Sequence, residues 1–207
     1  MDKFSPDASG LTPLPANDIE ATSRAIKDQF RIETPGFIDF KLEQFEVLNH
    51  HRAVNITNTF AIKNACGDSY LLFLNVDTDH TPAKGQKTVV TEQQAWALAY
   101  LKRDFGRVFI RTETIIDKIR EIIFPIELDF KEDKPFSDRY YVLTDDKHKT
   151  EQAITLEFRT AMMAIKETDF VVEIFEHTLI IGNRKPITPE HTLYLAGFVA
   201  KLAELKC

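Results

Sequence analysis

The clearest pattern of apolar and polar positions lies in residues 136–183, where one predicted element follows another. A strand is predicted at 139–143, followed by a polar turn and a helix that buries apolar positions between 154 and 165. Two further strands, at 170–175 and 178–181, form a predicted hairpin. Because local propensity and hydrophobic pattern agree throughout, this stretch is the strongest indication of fold in the chain.

The first half gives a second hairpin and a less defined region before it. Apolar and polar residues alternate at 53–62, and an apolar run follows at 69–80 after a Gly-containing turn, which predicts two paired strands. Helical spacing predicts a helix over 17–30. Residues 37–48 have no clean period, so strand and helix both remain open, and we favour a strand ending near Leu48.

Residues 88–101 are ambiguous, because their Ala and Gln content favours a helix whereas Val89, Trp96, Leu98 and Tyr100 fit a strand. The other predicted elements are a strand at 107–111, a helix at 112–123, a strand at 126–130 and an amphipathic helix at 190–206.

Strands in runs with helices in blocks between them predict an α+β fold with a mainly antiparallel sheet and a few packing helices. Residues 1–16, rich in Pro, Ser, Asp and Gly, are interpreted as a tail or arm. The rest divides into two successive β-rich halves, 17–110 and 111–207, with one continuous domain as the alternative.

The phrases GRVFIRTETIIDKI, IELDFKEDKPFSDRYYVLTDD and LEFRTAMMAIKETDFVVEIFEHTLIIGN resemble a widespread bacterial family of uncharacterised proteins, which are often membrane-anchored. The positions that carry the resemblance are Phe136, Arg139, Tyr140, Asp145, Phe158, Glu173 and Leu179. The resemblance covers roughly residues 45–205, mainly 87–205. It implies architecture without an activity, and it implies a strand rather than a helix at 88–101.

Composition narrows the class of protein. The 207 residues are 43% hydrophobic and 28% charged, as in ordinary soluble globular proteins. The net charge of −6 argues against nucleic-acid binding, which needs a concentrated basic face. Two cysteines, Cys66 and Cys207, are too few for a disulfide scaffold and favour a reducing compartment or a protein indifferent to redox conditions. With no signal peptide and no membrane span, we expect a cytoplasmic protein, which could lie at the inner face of a membrane through a partner or a missing anchor.

Asp77, Asp79 and His80 form the sharpest candidate site. Two carboxylates and an imidazole at the end of a strand could bind a divalent metal or take part in acid-base chemistry. A solvated turn explains the same residues and is favoured. At most one of His50 and His51 could join the site, because adjacent strand residues point to opposite faces.

The remaining polar groups have structural explanations. Asp145 and Asp146, near His148, precede a helix and suit its N-terminus. The hairpin residues Glu173, Glu176 and His177 are expected to face water. The sequence has no nucleophile motif and no phosphate-binding glycine loop, so no catalytic residues and no cofactor are predicted.

The sequence therefore favours a non-catalytic binding or scaffolding module with a protein partner or a second copy of itself. The alternative is a metal-dependent enzyme whose site includes Asp77, Asp79 and His80.

Overall fold

The computed structural model describes residues 16–80, 88–112, 125–167, 169–183 and 187–205. Its strands form one antiparallel nine-stranded sheet in the order β1-β2-β3-β4-β9-β8-β5-β7-β6. The strands are β1 (Ile32–Glu33), β2 (Ala53–Ile62), β3 (Ser69–His80), β4 (Thr88–Tyr100), β5 (Arg107–Thr112), β6 (Ile126–Leu128), β7 (Tyr140–Thr144), β8 (Val171–Phe175) and β9 (Thr178–Gly182). The predicted α+β fold is confirmed.

Six α-helices and one short 3₁₀ helix accompany the sheet within the described residues. The helices are α1 (Ala16–Gln29), the 3₁₀ helix (Leu42–Gln44), α2 (Glu46–Asn49), α3 (Lys134–Ser137), α4 (Lys147–Ala153), α5 (Leu156–Met163) and α6 (Pro189–Glu204). Since β4 pairs with β9, and β5 pairs with β7 and β8, strands from before and after residue 110 share one sheet.

Helices α1, α5 and α6 cover one face of the sheet, which we call the helical face. Helix α6 packs on β3 and β4 and also contacts α1 and α5. On β4, the residues that point to this face are Ala95, Ala97 and Ala99, all buried in the same cluster. Their small side chains let α6 approach the strand closely, which explains an alanine-rich strand that local propensity would assign to a helix.

Residues 34–49 cross the opposite face, and we call them the cover segment. Three of their apolar side chains, Phe40, Phe45 and Leu48, are buried against strand residues such as Leu72 and Trp96. The ring of Phe40 meets Tyr70 edge to face, 5.1 Å between centroids. The sheet is therefore buried on both faces, by helices on one side and mostly irregular chain on the other.

Two predictions from periodicity need correction. The strand favoured at 37–48 is wrong, because this region forms the 3₁₀ helix and α2. The apolar residues of this region fit neither the helix period nor the strand period because the chain lies flat on the sheet face. The single helix predicted after the polar turn at 144–146, with buried apolar positions from 154 to 165, is divided into α4 and α5 at Thr155. This residue is extended and caps α5 by accepting from the Phe158 N–H.

Most of the other predicted elements are confirmed, including the strand at 88–100 that the family resemblance implies. The helix predicted at 112–123 falls almost entirely outside the described residues. Cys66, in the turn between β2 and β3, is disulfide-bonded. No described helix is long and apolar enough to cross a bilayer.

Trp96 packs directly over Gly182, its register partner on β9. A Cβ atom at residue 182 would lie 2.3 Å from Trp96 Cδ2, well inside van der Waals contact. We expect Gly182→Ala to lower the free energy of unfolding by about 1–3 kcal/mol, because it overpacks a filled core. Chemical denaturation measures this change.

Gly197→Ala in α6 is the matched control, since the nearest atom to its new Cβ is Phe30 Cζ at 3.9 Å. Alanine is favoured over glycine inside a helix by about 1 kcal/mol, so this variant should be neutral or stabilising. Equal stability of Gly182→Ala and the native protein would show that the Trp96 ring does not occupy this position.

Candidate functional site: the groove at the edge of β2

A buried carboxylate fixes the cover segment to the centre of the sheet. Glu173, on β8, is completely buried. Its Oε1 accepts from the Glu46 N–H at 2.9 Å and its Oε2 accepts from the Val47 N–H at 2.8 Å. Both N–H groups belong to the first turn of α2, where backbone donors have no partner inside the helix. Glu173 therefore supplies the hydrogen bonds that hold the start of α2 against the sheet.

Arg107 completes this contact from β5. Its Nη1 lies 3.3 Å from Glu46 Oε1 and 3.5 Å from Glu173 Oε1. Its guanidinium also lies over the Phe175 ring, 4.7 Å from the centroid. The Arg107 guanidinium thus pairs with two carboxylates, the buried one of Glu173 and the half-buried one of Glu46.

Burial raises the pKa of Glu173 from 4.5 to about 7. The hydrogen bonds from Val47 and Glu46 and the positive charge of Arg107 lower this pKa, but the loss of solvation is larger. The expectation that Glu173 faces water is wrong, whereas Glu176 and His177 in the same hairpin are exposed.

Where the cover segment passes β2, it leaves an open groove of about 370 Å³. Residues 34–43 form one wall, and β2 contributes Val54, Ile56 and the polar residues 57–59. Phe37, at the rim, is 85% exposed, the most exposed large apolar side chain among the described residues. The groove therefore combines apolar contacts with hydroxyl and amide groups, a composition common in binding sites.

The outer edge of β2 lies beside this groove. Strand β1 pairs with β2 only at Ala61 and Ile62, so residues 53–60 have no strand partner on that edge within the described part of the chain. No backbone hydrogen bond joins residues 34–43 to β2 in that part either. An unpaired strand edge offers a row of backbone donors and acceptors to another extended chain.

A β-bulge interrupts the edge between Ile56 and Asn58. The hydroxyl of Thr57 donates to the Phe73 carbonyl at 3.0 Å and holds the bulge in place. Bulges bend and twist an edge, which discourages pairing with flat strands of unrelated proteins. Within the described residues this edge of β2 is thus unpaired, and the bulge gives it an irregular shape.

The wall of the groove contains a strained residue. Lys41 has φ 49°, in the left-handed region, and its N–H donates to Asp39 Oδ1 at 3.0 Å. Left-handed conformations of residues other than glycine cost energy and are found preferentially at binding sites.

Two of the three predicted metal ligands, Asp77 and Asp79, have hydrogen-bond or ion-pair partners in the described part of the chain. Asp77 Oδ1 accepts from the Thr91 hydroxyl at 2.6 Å, and Asp79 forms an exposed ion pair with Arg52 at 3.2 Å. His80 pairs through its backbone with Thr88, and its side chain lies outside the described part. Among the described residues, no group of three His, Cys, Asp or Glu side chains could hold a metal ion. The metal site remains a prediction.

The other histidines are engaged elsewhere or exposed. His51 is buried, with Nδ1 3.2 Å from the Thr78 hydroxyl, and His50 is exposed. His148 contacts Gln152 within α4. The predicted role of Asp146 is confirmed, because its side chain accepts from the Lys149 N–H and caps α4.

No protein-family model matches the chain, and no curated protein matches it. Among solved structures, its fold is similar to the crystal structure of the mycobacterial trehalose monomycolate transport factor A, TtfA. The two share 10% sequence identity with a TM-score of 0.55, over 89% of this chain and 91% of that chain. At this identity the likeness is one of fold.

The raised pKa of Glu173 gives stability a defined pH dependence. The folded protein binds this proton more tightly than the unfolded chain, so the contribution of Glu173 is fully present below pH 4.5 and is lost as pH rises through about 7. The difference amounts to about 3 kcal/mol. We expect Glu173→Gln to remove this slope in denaturation experiments between pH 5 and 8.

Glu176→Gln, on the same hairpin but exposed, is the matched control and should keep the native slope. A Glu173→Gln protein with the native pH dependence would contradict the assignment of the raised pKa to this carboxylate.

Proposed function

We propose that this protein is a non-catalytic binding module that receives an extended segment of a protein partner along the edge of β2. The observation that carries the proposal is the open edge at residues 53–60 beside the groove. In strand addition, backbone hydrogen bonds supply affinity and pockets for alternate side chains supply specificity. The β2 edge offers the first, and the groove with Val54, Ile56 and Phe37 offers the second.

The rigidity of the groove supports the same proposal. The cover segment is fixed at one end by Glu173 and Arg107, and along its length by Phe40, Phe45 and Leu48. A preformed wall reduces the ordering cost of binding. The fold likeness is consistent with this role, since TtfA is described as a transport factor.

Two expectations from the sequence remain proposals. Membership of the bacterial family that residues 87–205 resemble is one of them. Cytoplasmic location is the other, and the disulfide at Cys66 counts against it, because disulfides persist mainly in oxidising compartments.

A random peptide display library, selected on the full chain, tests the proposed function. We expect selected peptides to slow amide hydrogen exchange at residues 53–60, because an added strand protects backbone groups on the open edge. Phe37→Asp should weaken these peptides by about tenfold or more, since it places a charge at the apolar rim.

Leu156→Asp is the matched control, because Leu156 is also exposed, at 62%, but lies away from the groove. It should leave peptide affinity unchanged. Peptides that protect other strands, or that bind Phe37→Asp as well as the native protein, would rule out the β2 edge as the docking site.

A further inference from the structure

A second concavity, which we call the acyl pocket, lies where the β4–β5 loop, the α4–α5 junction and the end of α6 meet. It has a volume of about 330 Å³. Leu101, Phe105, Phe158 and Leu202 line it, and each is more than nine-tenths buried. The pocket therefore has an apolar floor that belongs to the main core.

The rim of the acyl pocket is basic. Lys102 and Arg103 both line it and both are exposed. Arg103 Nη1 donates to the Gln152 carbonyl at 2.7 Å, which holds its guanidinium at the entrance. Lys102 forms no hydrogen bond or ion pair within the described part of the chain. Its charge is available to a ligand.

Glu157 is the acidic residue of the rim, and its charge is already engaged. The Thr155 hydroxyl, its own backbone N–H and the positive charges of Arg103 and Arg159 lower its pKa. Among the residues that line the pocket, two cations and one engaged carboxylate give one excess positive charge, on a protein of net charge −6. The pocket is thus a local positive site on an acidic molecule.

Apolar surface continues from the floor to the outside. Leu205 lines the acyl pocket and is 38% exposed, and Leu156, between two lining residues, is 62% exposed. These are two of the five exposed large apolar side chains in the described residues. The pocket lining therefore presents one exposed apolar side chain, Leu205, together with the exposed cation Lys102.

We propose that the acyl pocket binds the hydrocarbon chain of a single-chain anionic amphiphile, with Lys102 and Arg103 beside its head group. The volume holds on the order of ten groups of water size, which suits one chain of medium length. An apolar floor selects the chain, and the excess positive charge selects an anionic head over a cationic one. This site shares no residue with the β2 groove and is independent of the proposed function.

Calorimetric titration of the full chain with dodecanoate, below its micelle concentration and at low salt, tests the proposal. We expect a single site. Decanoate should bind about tenfold more weakly, since each buried methylene contributes up to about fourfold. Dodecyltrimethylammonium should bind at least tenfold more weakly than dodecanoate. Equal binding of the cationic amphiphile, or many equivalent weak sites, would overturn the proposal.

Single substitutions distinguish binding in the pocket from a general effect of protein charge on affinity. Lys102→Glu should weaken dodecanoate about tenfold, with a smaller loss at high salt. Lys41→Glu makes the same charge change at the β2 groove and should have no effect. Leu205→Asp should also weaken binding, and circular dichroism checks that each variant is folded. Unchanged affinity in folded Lys102→Glu would refute the role of the rim.

Anionic phosphatidylglycerol vesicles provide the remaining comparison. Co-sedimentation with these vesicles, without binding of monomeric dodecanoate, would reject the pocket proposal in favour of a membrane-surface patch around Leu156 and Leu205.

Discussion

The contact between Glu173 and the first turn of α2 joins the cover segment to the non-helical face of the sheet. This face carries large apolar side chains such as Leu72, Trp96 and Ile180, which must be removed from water. Irregular chain covers them, and irregular chain has few hydrogen bonds of its own to hold it in place. A buried carboxylate is costly unless it is paired, and here two backbone N–H groups and Arg107 pair it. The position of the groove wall at β2 follows from this anchoring.

Local pattern predicted those parts of the fold whose apolar residues repeat with a single period. Strand β3 is an example, because its continuous apolar run is buried on both faces of the sheet. Strand β2 is an exception, because the bulge between Ile56 and Asn58 places Val54 and Phe60 in the clusters on opposite faces. Helix propensity gave the wrong prediction for the alanine-rich strand β4. The alanines pack against a helix that lies almost a hundred residues later in the chain. The prediction for the cover segment was wrong for a related reason. The conformation of this segment depends on the sheet beneath it rather than on a periodic pattern in its own sequence.

The candidate site was less accessible to sequence reasoning than the fold. Glu173 and the N–H groups it binds are separated by 126 and 127 residues, so no local signal relates them. An unbroken apolar context at Val171, Val172 and Ile174 was the one hint that the carboxylate is buried. The open edge of β2 could not be predicted either, because it depends on where β1 stops pairing. Sequence motifs pointed instead to Asp77 and Asp79, whose partners in the structure are Thr91 and Arg52.

The position of Trp96 makes it an intrinsic fluorescence probe of the cover segment. It is the single tryptophan of the chain, almost fully buried, with its indole N–H donating to Gln94 Oε1 at 2.9 Å. The ring lies between Gly182 and the core of the cover segment, and it lines neither groove nor acyl pocket. Its fluorescence therefore records whether the cover segment is seated on the sheet. A ligand that fills either cavity without lifting this layer leaves the emission unchanged, which makes the indole an optical test of rigidity.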